Sequence, residues 1–463
     1  MSVEQDDPRP TVEQAKKQKR EAQRRGYAVP TTKKGTPSSS LERIFATIVS
    51  VQNCTVSDIA TLLDMPPSTV AAAVKTLEKR KLVRSTSPEP TRAQGRRPKP
   101  VVVNDRILHI VGFEITADKV VGTVMNLAGD IVLTEIADLG AQAWTGGEPN
   151  KGWIDEDTVV DTIRSLFAVL KNQLLDRVGA LHPGVLEQGL DPIVGLGAVL
   201  GGHINRRTGE VLFAPDLRWG YGRNLMEEWG PTVQLRQRIR DVTGVDKSDI
   251  VVDNDANGRA AAYQLYGGGA YFNDAPFSVV LVTEVGIGAA QFIEHEIYRG
   301  ATGKSLELGN IQVEPDGLPC RCGDRGCLEA MATRNAILTA APKEATNLAE
   351  ARKLAADGDP YAIRAFTQAG KYMGRGLSIL VDMLDTSRIV LTGPALTAVD
   401  GAPPVVFDTN YHRAMHESLQ KHAYGRGIDP ASVEVVEERG EWNGARGAAC
   451  LVVHDMVTGL MDL

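Results

Sequence analysis

Apolar positions recur at helical spacing from residue 41: Leu41, Ile44, Phe45, Ile48 and Val49 mark one face of an amphipathic helix. Thr55, with Asp58 three residues on and Ile59, Leu62 and Leu63 behind it, is an acidic variant of the capping box and opens a second helix. Met65-Pro66-Pro67-Ser68 reads as a turn, because proline suits the start of a helix and breaks its interior. A third helix is predicted over about 68–81, with Val70, Val74 and Leu77 on its buried stripe. Leu82-Val83-Arg84, a loop rich in Pro, Thr and Gly, and a returning strand over 100–103 complete a winged helix-turn-helix at 41–105. From Ile107 the period changes to that of strands, over 107–115, 119–127 and 131–138, with Ala128-Gly129-Asp130 as a turn. A helix from about Asp155 follows, with Val159, Val160, Ile163, Leu166, Phe167, Leu170 and Leu174 on one face, then strands at 193–200 and 249–253. A Gly/Ala helix after Asn257 and a hairpin over 278–293 come next. Hairpins followed by alternating helix and strand, in two halves, predict two α/β lobes around a cleft.

Ahead of these elements, residues 1–40 mix Lys16, Lys17, Lys19, Arg20, Arg24 and Arg25 with Gln, Pro and Ser, and hold too little apolar surface to offset the entropy of ordering. They are expected to form a disordered basic arm, transiently helical over 12–25. A chain of 463 residues with 43% hydrophobic and 24% charged residues is that of a multidomain globular protein. No run of about 18 apolar residues is present, so no membrane partner is expected. The first ten residues carry four charges, unlike a secretory signal, and a cytoplasmic, nucleoid-associated location is the expectation.

The net charge of −7 conceals an asymmetry. Residues 1–40 hold nine Lys/Arg against five Asp/Glu, and 41–105 hold ten against six, so the front carries +8 and the remainder −15. A basic front on an acidic body points to a polyanion partner for the front alone. Ser68, Thr69 and Lys75 on the exposed face of the third helix suit base edges and phosphates in a major groove. Arg96 and Arg97 at the wing tip suit a narrow minor groove.

Five cysteines are too few for a disulfide framework, and three of them, Cys320, Cys322 and Cys327, fall within eight residues. Three thiolates around two glycines can face one tetrahedral Zn²⁺. The run Cys320-Arg321-Cys322-Gly323-Asp324-Arg325-Gly326-Cys327-Leu328-Glu329 resembles the signature of the ROK family of sugar-responsive repressors and sugar kinases, and the wing run Gly95-Arg96-Arg97-Pro98 resembles that of the family's DNA-binding branch. The resemblance implies a two-lobed, actin-like and hexokinase-like body at 106–463, with lobe 1 at about 106–255 plus a C-terminal helix at about 443–463, and lobe 2 at about 256–442. It also implies a structural zinc on the three cysteines, with the fourth ligand from the His of an E-x-G-H motif. The chain has Glu307-Leu308-Gly309-Asn310 there, so the fourth position falls to water or another donor such as His295.

Asp253-Asn254-Asp255-Ala256-Asn257 matches the family's N-D-x-N. The match implies that Asn254 holds a sugar hydroxyl and that Asp255 occupies the place of the general base, here vestigial. Glu307 and Glu329 fall at family sugar-contact positions, and Gly197 and Asn310 are placed with them. The run 212–219 resembles a further pocket wall, with Asp216 for the family's usual Asn, while Trp219 is equally a core candidate. The phosphate turns of family kinases are altered. The first reads Glu114-Ile115-Thr116-Ala117-Asp118, the second Glu284-Val285-Gly286-Ile287-Gly288, and a third Leu391-Thr392-Gly393-Pro394. A carboxylate about 4 Å from a phosphate costs a few kcal/mol at an effective dielectric near 20, so no ATP binding is expected.

The expected function is that of a repressor that senses a sugar or sugar phosphate and binds symmetric operator DNA as a homodimer or homotetramer. An active sugar kinase with an appended DNA-binding domain, and a regulator controlled by a protein partner or phosphosugar with a vestigial cleft, remain the alternatives.

Overall fold

The computed structural model describes residues 9–24, 40–51, 53–86, 98–140, 142, 152–220, 230–267, 276–283, 286–293, 296–393, 409–424, 429, 432–436 and 444–458. Its N-terminal part comprises α1 (Val12–Arg24), α2 (Ser40–Ser50), α3 (Val56–Leu63), α4 (Pro67–Lys79), β1 (Val83–Ser85) and β2 (Val101–Val103). The Thr55 cap is reciprocal, as the sequence predicts: the Asp58 amide donates to Thr55 Oγ1 at 3.2 Å, and the Thr55 amide to Asp58 Oδ2 at 3.1 Å. β1 and β2 pair antiparallel, with Val83 opposite Val103. The wing tip at 87–97, with Arg96 and Arg97, lies outside the described residues.

Over 12–24 the arm, expected to be helical only transiently, forms a docked helix. Helix α1 buries Ala15 completely. Lys19 Nζ reaches Asp64 Oδ2 at 2.7 Å and the Thr61 carbonyl at 3.3 Å, and Lys16 Nζ reaches Asp58 Oδ1 at 3.4 Å. Docking against α3 supplies the apolar surface that the arm lacks, which its own composition does not disclose.

The first lobe holds β3 (His109–Ile115), β4 (Lys119–Asn126), β5 (Ile131–Asp138), α5 (Glu156–Leu181), α6 (Pro183–Glu187), β6 (Ile193–Leu200), β7 (His203–Asn205), β8 (Glu210–Ala214), β9 (Trp219–Gly220), α7 (Leu235–Thr243) and β10 (Ile250–Asn254). Then follow α8 (Asp255–Tyr266), β11 (Phe277–Val282), β12 (Ile287–Ile293), β13 (Glu296–Ile297), α9 (Leu328–Ala332), α10 (Arg334–Ala340), α11 (Leu348–Ala356), α12 (Pro360–Leu384), β14 (Arg388–Thr392), α13 (Thr409–His422), β15 (Val433–Val435) and α14 (Gly444–Thr458). The two large sheets share one plan: the first runs β10-β6-β3-β4-β5 and the second β15-β14-β11-β12-β13, each antiparallel on one side of its first strand and parallel on the other. The small sheet β7-β8-β9 flanks the cleft.

Helices α8 and α14 lie between the lobes. Helix α14 packs on β3, β4 and β6, and α8 on β11 and β12. They cross where Gly258 meets Gly447: a Cβ on Gly447 would stand 2.8 Å from the Gly258 carbonyl carbon, so only glycine permits this approach. Helix α2 seats on this pair, and its Ile44, Phe45 and Ile48 share one apolar cluster with Tyr263 and Tyr266 of α8 and Leu451 and Val453 of α14.

Candidate functional site

The cleft forms where β10 ends and α8 begins. Asn254 caps α8, its Oδ1 accepting from the Ala256 amide at 2.9 Å while its Nδ2 donates to the Gly202 carbonyl at 3.1 Å. The sequence puts the helix start after Asn257, but the cap draws it back to Asp255, so the carboxylate sits on the first helical turn at the cleft floor. Desolvation by burial, aided by Glu114 and Asp216, pushes the Asp255 carboxyl up to about 6 despite Arg259. A small cleft opens beside it, lined by Asp253, Asn254, Asn257, Arg299, Ser305 and Glu307 among others.

The backbone at the rim is strained. Leu306, just before Glu307, has φ 64°, and Arg218, just after the Asp216 turn, has φ 55°. Left-handed conformations are uncommon for such side chains and cluster at sites where the surroundings fix them. Glu307 Oε1 lies 2.8 Å from His203 Nε2 on the opposite wall. Glu329, at the start of α9, is buried and accepts from Arg321 Nε at 3.2 Å, and Arg321 Nη1 also meets Asp216. In the cleft wall, Asp253 is buried and paired with Arg299 Nη2 at 2.6 Å, which holds its carboxyl below the ordinary range despite desolvation.

Asn254 and Glu307 line the cleft, while Asp255 and Glu329 lie beside it, joined through Asp216 and Arg321. Gly197 does not join them. It faces α14, where a Cβ would collide with the Ala448 carbonyl, because alternate residues of β6 point away from the cleft; the chain reaches the cleft only at Gly201 and Gly202. Asn310 is exposed at the end of a single 3₁₀ turn over Leu308–Asn310. Trp219 is fully buried and donates its indole N–H to the Ile154 carbonyl at 2.6 Å, so it is core rather than pocket wall. The sequence reading does not single out His203, Asp253, Arg299 or Arg321. Their partners lie 46 to 105 residues away in three of these pairs, and no local pattern announces them.

The three cysteine Sγ atoms lie within 4.8 Å of one another, the Cys322–Cys327 pair at 3.5 Å. Thiolates on one tetrahedral zinc, at bonds of about 2.3 Å, stand about 3.8 Å apart, so the trio fits three corners of such a site. Gly323 and Gly326, at φ 96° and 67°, make the turns that close it. Burial pushes the Cys327 thiol up to about 11 and the Cys320 thiol up as well, so binding a cation must expel protons. Among the described residues no His, Asp or Glu joins the trio at that mutual distance, and His295 lies outside them.

At the other end of the cleft, Glu114 accepts from Arg259 Nη2 and from the Gly444 amide, both at 2.9 Å. The N-terminus of α14, an anion-binding place by its free amides, is therefore capped by the chain's own carboxylate. Asp118 accepts from Thr116 Oγ1 at 2.6 Å within its turn. Glu284, Val285 and Pro394 lie outside the described residues. On the N-terminal part, Ser68, Thr69 and Lys75 stand exposed along one side of α4.

A profile of the ROK family matches residues 168–455. The xylose repressor of Bacillus subtilis is 26% identical over 328 residues, covering 70% of this chain and 74% of that protein. The glucokinase of Streptomyces coelicolor is 26% identical over 321 residues, covering 65% of this chain and 92% of that protein. Among solved structures, a transcriptional regulator described as a homologue of the E. coli MLC protein superposes with a TM-score of 0.63 at 19% identity, over 91% of this chain and 96% of its own. Among the described residues no helix is long and apolar enough to cross a membrane.

Proposed function

The chain belongs to the ROK family, and from that premise we propose that it is a sugar-responsive, DNA-binding transcriptional regulator, a repressor of carbohydrate genes. The observation that carries this reading is the seat of α2 on α8 and α14. Asp255 opens α8 and Glu114 caps α14, so the helices that root the DNA-binding module also frame the two ends of the cleft. A ligand with different affinity for the open and closed lobes shifts the angle between these helices and with it the pose of α4. Regulators with a known repressor role among the relatives support the same reading.

In this reading Ser68, Thr69 and Lys75 meet the major groove, Arg96 and Arg97 the minor groove, and a homodimer or homotetramer matches the symmetry of the operator. Asn254, Asp255, Glu307 and Glu329 meet the hydroxyls of the effector. One zinc on Cys320, Cys322 and Cys327 supports the segment that carries Glu329, without touching the ligand. No ATP is bound, because Glu114 holds the anion place.

A kinase is the second reading, favoured by the Asp255 carboxyl near 6, a value suited to a general base at neutral pH. Both are tested on the purified full chain. Genomic fragments selected by the protein should be released by one of D-xylose, D-glucose or N-acetyl-D-glucosamine, with no ADP formed from ATP and the same sugars. Sugar-dependent ADP formation that disappears in Asp255→Asn would overturn the repressor reading in favour of the kinase.

A further inference from the structure

Both carboxylates expected to hold the effector are already engaged by basic side chains of the chain itself. Glu307 pairs with His203 across the cleft at 2.8 Å. Glu329 receives Arg321 Nε at 3.2 Å and Nη2 at 3.4 Å, while Nη1 of the same guanidinium meets Asp216 on the first lobe. The guanidinium lies on a glycine floor in the second lobe: a Cβ on Gly286 would stand 2.6 Å from Nη2 and 3.5 Å from Glu329 Oε2. In the first lobe a Cβ on Gly201 would stand 3.8 Å from Asp255 Oδ2 and 3.9 Å from Asp216 Oδ2, so the far end of the bridge adjoins Asp255. Asp216 is also where the chain departs from the family's usual Asn, and its charge is what gives Arg321 a partner on the opposite lobe.

We propose that Arg321 is an internal competitor for the effector: it holds Glu329 and, through Asp216, ties the lobes together until a neutral polyhydroxy ligand takes Glu329 from it. This rests on the reading of the cleft as the effector site. The ligand class follows from charge. In and beside the cleft Asp216, Asp253, Asp255, Glu307 and Glu329 stand against the guanidiniums of Arg206, Arg299 and Arg321, so a phosphosugar would add negative charge where carboxylates already outnumber cations. A neutral sugar offers O–H donors to Glu329 and Glu307 and adds no charge. The bridge to Asp216 is displaceable because its two side chains are 35% and 42% exposed, and pairs of that kind contribute about 0 to 1 kcal/mol.

The experiment uses the full-length, zinc-supplemented chain and its Arg321→Gln and Asp216→Asn variants, each checked for an unchanged circular dichroism spectrum. Hydrogen exchange without ligand reads the latch, at residues 201–205 of the first lobe and 286–290 of the second. Both variants should exchange faster there, by about 2- to 5-fold for a pair of this strength, and no faster at β3 or β11. Calorimetric titration with D-xylose, D-glucose, N-acetyl-D-glucosamine and D-glucose 6-phosphate reads the competition. A neutral sugar that binds the parent chain should bind Arg321→Gln at least 2-fold more tightly, and the phosphate ester should not bind the parent. Unchanged exchange in both variants overturns the latch, and binding weakened tenfold in Arg321→Gln shows that the arginine is a ligand contact instead. Tighter binding of the phosphate ester than of its parent sugar overturns the ligand class. Faster exchange with no sugar bound by any variant leaves the latch standing and removes the sugar reading beneath it.

Discussion

The two ends of the cleft solve the same electrostatic problem in opposite ways. At the end beside α14, Glu114 and Arg259 form a pair whose side chains are only 16% and 8% exposed, and the carboxylate also caps α14. At the proposed sugar end, Arg321 and Asp216 form a pair open to water. A buried, hydrogen-bonded pair is strongly disfavoured from opening, because either partner alone would be left charged and dry. An exposed pair exchanges for water or a ligand hydroxyl at little cost. One end is therefore closed as part of the fold, and the other is closed in a way that a ligand can reverse.

Breaking the closed end should have the largest effect. Arg259→Ala leaves Glu114 without its cation and should lower unfolding stability by about 3 kcal/mol, read from urea melts. A loss under about 1 kcal/mol would mean that the two ends are not distinct in kind. Restoring glycine at Thr116 alone should not produce ATP binding, since Glu114 still caps α14.

Asp255 sits between the two ends and tests the comparison by pH. Its folded carboxyl, near 6, is raised above the unfolded value of 3.8, so its contribution to stability is fully present below about pH 3.8 and is lost as pH rises through 6. Asp255→Asn should therefore be more stable than the parent at pH 8, by up to about 3 kcal/mol, with the gap closing towards pH 4. A gap independent of pH would place the carboxyl in an ordinary environment.

Metal removal should separate the ends. Chelation, or Cys322→Ser, is expected to speed hydrogen exchange at 327–333 and reduce sugar-dependent release of DNA, with little change around Glu114 and Gly444. Metal analysis is expected to give about one zinc per chain, held less tightly than in a Cys₃His site. Equal loosening at both ends would make the cysteine loop a support of the whole lobe rather than of the sugar end.

The smallest effect tests the DNA-binding module, far from either end. Replacing Arg96 and Arg97 together by Ala should make the log–log salt slope of operator binding shallower by about 1.8, at about 0.9 per phosphate contact, with sugar affinity unchanged. An unaltered slope removes the wing from the DNA contact.

Much of this was legible in the sequence where the signal is local. The capping box at Thr55, the prolines at the start of α4, the strand periodicity and the closely spaced cysteines each involve residues within one or two turns of chain, so local geometry alone constrains them. The helical tendency over 12–25 was legible, but the stable docking of α1 was not, because the surface that orders it belongs to α3. The glycine at 197 could not be assigned a face, since a strand's period tells which residues alternate but not which side a distant helix will cover. The Arg321–Asp216, Arg259–Glu114 and Arg299–Asp253 pairs join residues 105, 145 and 46 positions apart. Sequence determined which carboxylates were candidates for the cleft, Asp255, Glu307 and Glu329; only the tertiary structure decided which basic side chains meet them, because Coulomb attraction depends on distance in space and the chain encodes only distance along itself.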